Sequence, residues 1–151
     1  MAHGVVLVNG YPGSGKSTLA EGLGRCLDVP VLSKDRVKEA LADAGRGAPA
    51  IAGRGGPAIG ARAMDAVWAT VRELAGLVVV DCWWFRPRDL GFARAGLASA
   101  TAGAAVEIWC DVPIVLARRR YGERDRHPVH RDDRDMTAEW ADWEARGSRS
   151  P

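Results

Sequence analysis

The sequence predicts an α/β fold in which one parallel sheet is covered by helices on both faces. Residues 5–8 and 77–80 are continuous apolar runs, which are typical of strands that are buried on both sides. Between such runs lie segments with apolar residues three and four positions apart, a spacing typical of amphipathic helices. This alternation favours a parallel sheet, because each parallel strand needs a crossover before the next. The 151 residues suit one domain, which we assign to residues 1–146, with a disordered tail at 147–151.

The first half of the chain is predicted to contain two strands and two helices. The strand at residues 5–8 is followed by a Gly-rich turn. The next helix has one apolar face, formed by Leu19, Ala20, Leu23, Cys26 and Leu27. Residues 30–32 form a short second strand, and Asp35 opens the second helix. Residues 45–60 are rich in Gly, Pro and Ala, so they are predicted to form a loop.

The second half continues the same alternation. A helix over residues 63–74 precedes the strand at residues 77–80, and Pro87 suits the first turn of the following helix. Residues 105–110 are predicted to form the fourth strand. The last helix is predicted to begin at about Thr137 and to present its two tryptophans on one side.

The composition excludes several classes of function. The formal net charge is +2, which is too small for the basic field that drives non-specific binding to nucleic acids. No apolar run approaches the roughly 20 residues that a membrane-spanning helix needs, and the first residues do not resemble a signal peptide. The three cysteines, Cys26, Cys82 and Cys110, lack a metal-binding spacing and are predicted to be reduced, buried thiols. We therefore expect a cytoplasmic protein that binds no membrane.

Residues 10–17 carry the strongest functional signal. Their sequence, GYPGSGKS, fits the pattern G-x-x-x-x-G-K-[ST] and lies between a predicted buried strand and a predicted helix. In such a P-loop, backbone N–H groups and the helix N-terminus face the phosphates of a nucleotide. The lysine contacts the β- and γ-phosphates, and the serine hydroxyl binds Mg²⁺. The sequence therefore predicts that ATP and Mg²⁺ are bound by Gly10, Gly13, Ser14, Gly15, Lys16, Ser17 and Thr18.

Two aspartates are predicted at the edge of the sheet where the P-loop lies. Asp35 follows the second strand, and a carboxylate at this edge can accept the proton of an attacking hydroxyl. A helix N-cap is an equally good interpretation of Asp35. Asp81 ends the third strand and is predicted to bind Mg²⁺ together with Ser17. A turn or cap role for Asp81 is the alternative, which we disfavour because an unpaired carboxylate is costly to bury.

An Arg-rich segment at residues 118–135 is predicted to be a lid. Residues 118–134 contain seven arginines against four acidic residues. Guanidinium groups grip phosphoryl oxygens at two points and can stabilise the charge that phosphoryl transfer develops. Arg120, Arg124 and Arg126 are therefore catalytic candidates. For some of these arginines, a solvent-exposed helix face paired with the neighbouring acids is the alternative.

Three weaker signals accompany these motifs. Arg36 is predicted to contact the acceptor or to face solvent. Trp83 follows the third strand and is predicted to line the acceptor pocket, although core packing is the commoner role of tryptophan. His127 and His130 are three positions apart, but the proline between them disfavours a helix that presents both rings to one metal ion.

Taken together, these motifs resemble those of the small P-loop kinases. This group includes chloramphenicol phosphotransferase, gluconate kinase, zeta toxin and phage polynucleotide kinase, and the chain looks most like the bacterial AAA-family "predicted kinase" proteins. The likeness covers residues 4–135. It is carried by residues 10–18, 32–39 (LSKDRVKE), 78–81 (VVVD), 111–113 (DVP) and 126–128 (RHP). The resemblance implies a three-layer P-loop NTPase fold and transfer of the γ-phosphoryl group of ATP to a hydroxyl, with Asp35 as the general base.

The resemblance also implies a sheet of order 2-3-1-4-5, from which this chain departs. No apolar strand follows the lid, so we expect a sheet of order 2-3-1-4 whose open edge is covered by the last helix or by another subunit. The expected function is phosphorylation of a small hydroxyl-bearing molecule, and a homodimer is one option. The alternatives are a 5′-hydroxyl nucleic-acid end as acceptor, against which the balanced charge counts, and a nucleotide switch without an acceptor.

Overall fold

A computed structural model describes residues 3–45, 57–85, 88–130 and 135–146 and shows a three-layer α/β fold. The strands are β1 (His3–Asn9), β2 (Val31–Ser33), β3 (Leu77–Asp81) and β4 (Ala102–Trp109). They are parallel and lie in the predicted order β2-β3-β1-β4. The helices are α1 (Lys16–Leu27), α2 (Lys34–Ala44), α3 (Pro57–Glu73), α4 (Leu90–Ser99), α5 (Ile114–Glu123) and α6 (Thr137–Arg146), and a 3₁₀ turn (Pro128–His130) follows α5. None of the helices in these ranges is long and apolar enough to cross a membrane.

The central strands are apolar on both faces because helices cover both faces of the sheet. Val5 of β1 and Val78 of β3 are buried in a core shared with α3 and α4. Val6 and Val79, which point the other way, pack with Ala20 of α1. The prediction from the continuous apolar runs is therefore confirmed.

Several predicted element boundaries differ from the structure, and two of them differ by three residues or more. The predicted loop at residues 45–60 extends too far, because α3 begins at Pro57, whose fixed φ suits the first turn of a helix. The rest of that loop, and the predicted helix start at Pro87, lie outside the described residues. The strand β4 begins at Ala102, three residues earlier than predicted. Its Ala- and Gly-rich start carries little strand propensity, but pairing with β1 extends the strand.

The predicted apolar face of α1 is wrong at its C-terminal end. Residues 25–28 are all exposed, so the last turn of α1 lies outside the packed layer. Cys26 is therefore exposed rather than buried, and Cys110 is only half-buried. Cys82 is buried as predicted, and burial raises the pKa of its thiol to about 12. A thiol with such a pKa stays protonated at neutral pH and is a poor nucleophile.

The last helix does not cover the outer edge of β4. Residues 103–106 are exposed, and within the described ranges no strand pairs with that edge. The two tryptophans of α6 lie on one side, as predicted, and both are buried. They belong to an aromatic cluster formed by Tyr11, Trp83, Phe85, Trp109, Tyr121, Trp140 and Trp143. The expectation that α6 covers the edge is therefore wrong for residues 103–106, and cover by another subunit stays a prediction.

Candidate active site

The turn between β1 and α1 contains three glycines with positive φ, of which Gly10 has φ +156°. Gly13 has φ +80° and Gly15 has φ +96°. A Cβ at Gly13 would lie 2.2 Å from the carbonyl oxygen of Ala117, so the turn packs directly against α5. A Cβ at Gly15, the N-cap position of α1, would meet no described atom within 4 Å beyond its chain neighbours. The space beside Gly15 is therefore open, and it lies at the positive end of the α1 dipole, where anions bind.

Two side chains of the P-loop are suited to phosphate oxygens. Ser14 is buried, and its Oγ has no hydrogen-bond partner in the described part of the chain. A buried hydroxyl without a partner is costly, so an external acceptor would satisfy it. The Nζ of Lys16 donates a weak hydrogen bond to the carbonyl oxygen of Tyr11 at 3.4 Å. Burial lowers the pKa of the Lys16 ammonium, and the carboxylates of Asp81 and Asp35 oppose that shift.

The two predicted Mg²⁺ ligands contact each other. The Oγ of Ser17 donates a hydrogen bond of 2.7 Å to Oδ2 of Asp81. Asp81 is buried and is the last residue of β3, so it lies in the strand rather than in a turn or a helix cap. Carboxylate and hydroxyl oxygens are the ligand type that Mg²⁺ takes in nucleotide sites.

A buried asparagine that the sequence analysis missed holds the start of the P-loop. Asn9 is fully buried at the end of β1. Its Nδ2 donates to the carbonyl oxygen of Trp84 at 2.9 Å and to Oε1 of Glu107 at 2.8 Å. Its Oδ1 accepts from the backbone N–H groups of Gly10 at 2.8 Å and Trp84 at 2.9 Å. One amide therefore links β1 to the segments that follow β3 and to β4.

We expect the substitution Asn9→Ala to lower the free energy of unfolding by about 2–4 kcal/mol, because it leaves several buried polar groups without partners. Urea denaturation measures this loss. Asn9→Asp should also destabilise the protein, since it keeps the acceptor oxygens but removes both donated hydrogen bonds. A loss below about 1 kcal/mol for Asn9→Ala would mean that water replaces the amide.

The structure places Asp35 in the first turn of α2, under the lid. The N-cap position is Ser33, so the N-cap interpretation of Asp35 is wrong. Its side chain is 52% exposed, and its Oδ2 accepts a hydrogen bond of 2.5 Å from Nη2 of Arg126. Burial raises the pKa of the Asp35 carboxyl, but the positive charges of Arg126 and His130 outweigh it, so the pKa is lowered. Asp35 is therefore ionised at neutral pH and can accept a proton.

The other two lid arginines lie near the P-loop. Arg120 is exposed on α5 and lines an open cavity of about 630 Å³. The remaining lining residues are Gly15, Thr18, Leu19, Gly22 and Leu23. The guanidinium carbon of Arg124 lies 4.3 Å from the centroid of the Tyr121 ring. Residues 131–134 of the predicted lid lie outside the described ranges.

Two predicted acceptor contacts have other partners in the structure. Arg36 forms an ion pair with Glu21 of α1, and 68% of its side chain is exposed. Trp83 packs in the aromatic cluster, 6.4 Å from Phe85 and 5.3 Å from Trp143 between ring centroids. Their contacts with an acceptor stay predictions.

The two lid histidines face acidic residues of α2. Among the described residues, no group of three or more His, Cys, Asp and Glu side chains could hold a metal ion. The Nε2 of His127 lies 3.1 Å from Oδ1 of Asp43, and that of His130 lies 2.6 Å from Oε1 of Glu39. The sequence analysis missed Glu39 and Asp43, although Asp35, Glu39 and Asp43 follow one another at four-residue spacing, which indicates one charged helix face.

The parallel sheet of order β2-β3-β1-β4 and the P-loop between β1 and α1 define a three-layer α/β P-loop fold. The sequence profile of the AAA domain family matches residues 5–147, and the chain belongs to this family. The predicted resemblance is therefore confirmed at the level of fold and family.

Some proteins are similar to this chain in sequence, and others are similar in their solved structures. An uncharacterized protein of Mycobacterium tuberculosis (strain H37Rv) is 35% identical over 123 residues, which cover 76% of this chain and 24% of that protein. The chain thus spans about a quarter of the length of the curated relatives it matches.

A candidate kinase from Chloroflexus aurantiacus superposes with a TM-score of 0.77 at 24% identity, over 100% of this chain and 83% of the other. A gluconokinase from Sinorhizobium meliloti superposes with a TM-score of 0.54 at 18% identity, over 91% and 78%. At these identities, the structural likeness is one of fold.

Proposed function

We propose that this chain is a kinase that transfers the γ-phosphoryl group of ATP to a hydroxyl group of a small molecule. The observation that carries the proposal is the position of Asp35. Asp35 lies two residues after Ser33, which is paired with Asp81 between β2 and β3. Asp81 in turn accepts a hydrogen bond from Ser17 of the P-loop. The charges of Asp35 and Lys16 also act on each other's pKa. A proton acceptor beside the phosphate-binding lysine is the arrangement that phosphoryl transfer to an alcohol needs.

Side chains suited to bind the phosphates of ATP and Mg²⁺ lie at the P-loop. The Ser14 hydroxyl, which has no hydrogen-bond partner among the residues that the structure describes, and the open space at Gly15 fit phosphate oxygens. The Ser17–Asp81 pair fits Mg²⁺. Bound Mg²⁺ would neutralise charge on the phosphate oxygens. The cavity beside Arg120 has a size and lining that suit the nucleotide base, because a guanidinium group stacks on planar rings and Leu19 and Leu23 offer apolar contact.

The proposed reaction is an in-line displacement at the γ-phosphorus. The acceptor oxygen forms a bond to phosphorus, the bond to the β–γ bridging oxygen breaks, and ADP leaves. The acceptor proton passes to Asp35. Lys16, Arg124 and Arg126 stabilise the charge on the transferred group, for which Arg126 must move from Asp35 toward the phosphate. The lid contacts α2 on both sides of the proposed proton acceptor Asp35, through Arg126 and His130, which favours an acceptor small enough to be enclosed.

A nucleic-acid acceptor is less well supported, because a bound strand needs a basic track and the net charge is only +2.

The compartment that we propose is the cytoplasm, where ATP is available. A homodimer that covers residues 103–106 of β4 is also a proposal, since exposed strand edges attract a partner strand.

The test is transfer of labelled γ-phosphate from ATP, with Mg²⁺, to pooled sugars, amino-alcohols, nucleosides, hydroxylated antibiotics and 5′-hydroxyl oligonucleotides. Lys16→Ala is the blank, and we expect it to remove transfer. Label on one small molecule supports the proposal and identifies the acceptor class. Label on the oligonucleotide alone contradicts the proposal and favours a nucleic-acid kinase. Release of inorganic phosphate alone, at a rate that no member of the pool changes, contradicts it and favours a nucleotide switch.

A further inference from the structure

The lid rests on α2 through a row of oppositely charged pairs. Three acidic residues of α2 are spaced four positions apart, so they lie along one side of the helix, and we call them the acidic row: Asp35, Glu39 and Asp43. Each faces a basic side chain of the lid. The pairs are Asp35 with Arg126, Glu39 with His130, and Asp43 with His127. The contact therefore runs along about two turns of α2.

His130 lies at the centre of this contact and is the most buried of the three basic side chains. Only 3% of its side chain is exposed, against 19% for Arg126 and 19% for His127. Its Nε2 lies 2.6 Å from Oε1 of Glu39, and its Nδ1 lies 3.8 Å from Oδ1 of Asp35. An ionised carboxylate can only accept, so Nε2 donates to Glu39 and the other side of the ring faces Asp35.

The two oxygens of the Asp35 carboxylate therefore face two different lid residues. Oδ2 accepts from Arg126, and Oδ1 faces the His130 ring. In the proposed reaction Arg126 leaves Asp35 for the phosphate. Of the described lid residues, His130 is the other basic side chain within 4 Å of this carboxylate. His130 would then be the lid residue that holds the orientation of Asp35, at the ion-pair distance of 3.8 Å.

We propose that His130 is a positioning residue: anchored by Glu39, its imidazole keeps the lid on α2 and fixes the Asp35 carboxylate toward the acceptor. The inference rests on the proposed function only in giving Asp35 the role of proton acceptor. The placement of the ring between two carboxylates is independent of that role.

The first test follows the Asp35 carboxyl by ¹³C NMR through a pH titration of the full chain without nucleotide. Several charged groups face this site besides His130: Arg126 of the lid, Lys16 of α1, and Lys34 and Glu39 of α2. Because His130 contributes to the lowered pKa of Asp35, we expect His130→Ala to raise that pKa. The matched control is His127→Ala, whose partner Asp43 lies two turns away, and it should leave the titration of Asp35 unchanged.

A second measurement separates positioning from a general loss of lid structure. Hydrogen–deuterium exchange of residues 124–130 and of α2 reports whether the lid stays docked. His130→Gln can still donate a hydrogen bond to Glu39 but cannot carry a charge. For His130→Gln we therefore expect the lid and α2 to exchange hydrogen as slowly as in the wild type, while the pKa of Asp35 is raised. His130→Ala and Glu39→Gln should each speed exchange, and the double variant should exchange no faster than the single variants.

The third measurement uses the acceptor that the transfer assay identifies. We expect His130→Ala to lower kcat by about tenfold or more, because a displaced base loses its alignment, while the KM for ATP stays within about twofold. His127→Ala should keep kcat. An unchanged pKa of Asp35 in His130→Ala, or an equal shift in His127→Ala, overturns the inference. A wild type that transfers no phosphate contradicts the proposed function instead, and the titration and exchange experiments still decide the role of His130.

Discussion

Replacing Asp35 by Asn is expected to lower the rate of γ-phosphoryl transfer by about 10³-fold, the typical contribution of a general base. Asparagine has nearly the same shape but cannot accept the proton of the acceptor hydroxyl. Binding of ATP should be unchanged or tighter, because the substitution removes a negative charge that acts on Lys16 of the P-loop. Labelled transfer under saturating ATP, together with calorimetric titration of ATP and Mg²⁺, measures the two effects.

The matched control for this experiment is Asp43→Asn, at the other end of the acidic row. It removes an equal charge from the same helix and also faces a lid side chain, but it is two turns from Asp35. We expect transfer to stay within about threefold of the wild type. If Asp35→Asn keeps as much activity as Asp43→Asn, Asp35 is not the proton acceptor and the lid contact is its main role.

Replacing Gly13 by Ala is expected to lower the free energy of unfolding by about 2–5 kcal/mol. A residue with a Cβ is strained at φ +80°, and the added methyl group would overlap the backbone of α5 at Ala117. A backbone carbonyl cannot rotate away as a side chain does, so α5 and the start of the lid must shift. Urea denaturation without nucleotide measures the loss.

Gly15→Ala makes the same chemical change two residues away and separates the causes. Gly15 has a left-handed backbone like Gly13, but a Cβ added there would meet no described atom within 4 Å. We therefore expect the free energy of unfolding to fall by only about 1–2 kcal/mol, from backbone strain. Its methyl group instead enters the open space at the N-terminus of α1, so affinity for ATP with Mg²⁺ should fall by about tenfold or more. Equal losses of stability in the two variants would show that contact with α5 does not constrain the turn.

The parts of the candidate site whose positions in the fold could be predicted from the sequence are those with a local signal. The P-loop needs glycines, a lysine and a serine at fixed spacing, and Asp81 ends an apolar strand, so both are readable from a few neighbouring residues. The order of the strands was implied by resemblance, and the parallel pairing agrees with it.

Features that depend on tertiary contact could not be predicted in this way. The spacing of the acidic row is visible in the sequence, but its partners are separated from it by 84 to 91 residues. The start of β4 likewise depends on pairing with β1 rather than on its own Ala and Gly residues. The exposed last turn of α1 depends on where the packed layer ends, which the helical spacing does not encode.

The position of Tyr11 has a practical consequence. This P-loop residue is buried between two indoles, with ring centroids 5.2 Å from Trp109 and 5.1 Å from Trp143. The phosphate-binding turn, the end of β4 and the last helix therefore share one set of aromatic contacts. We therefore expect the intrinsic emission of these indoles to change when nucleotide binds, so that binding can be followed without an attached dye.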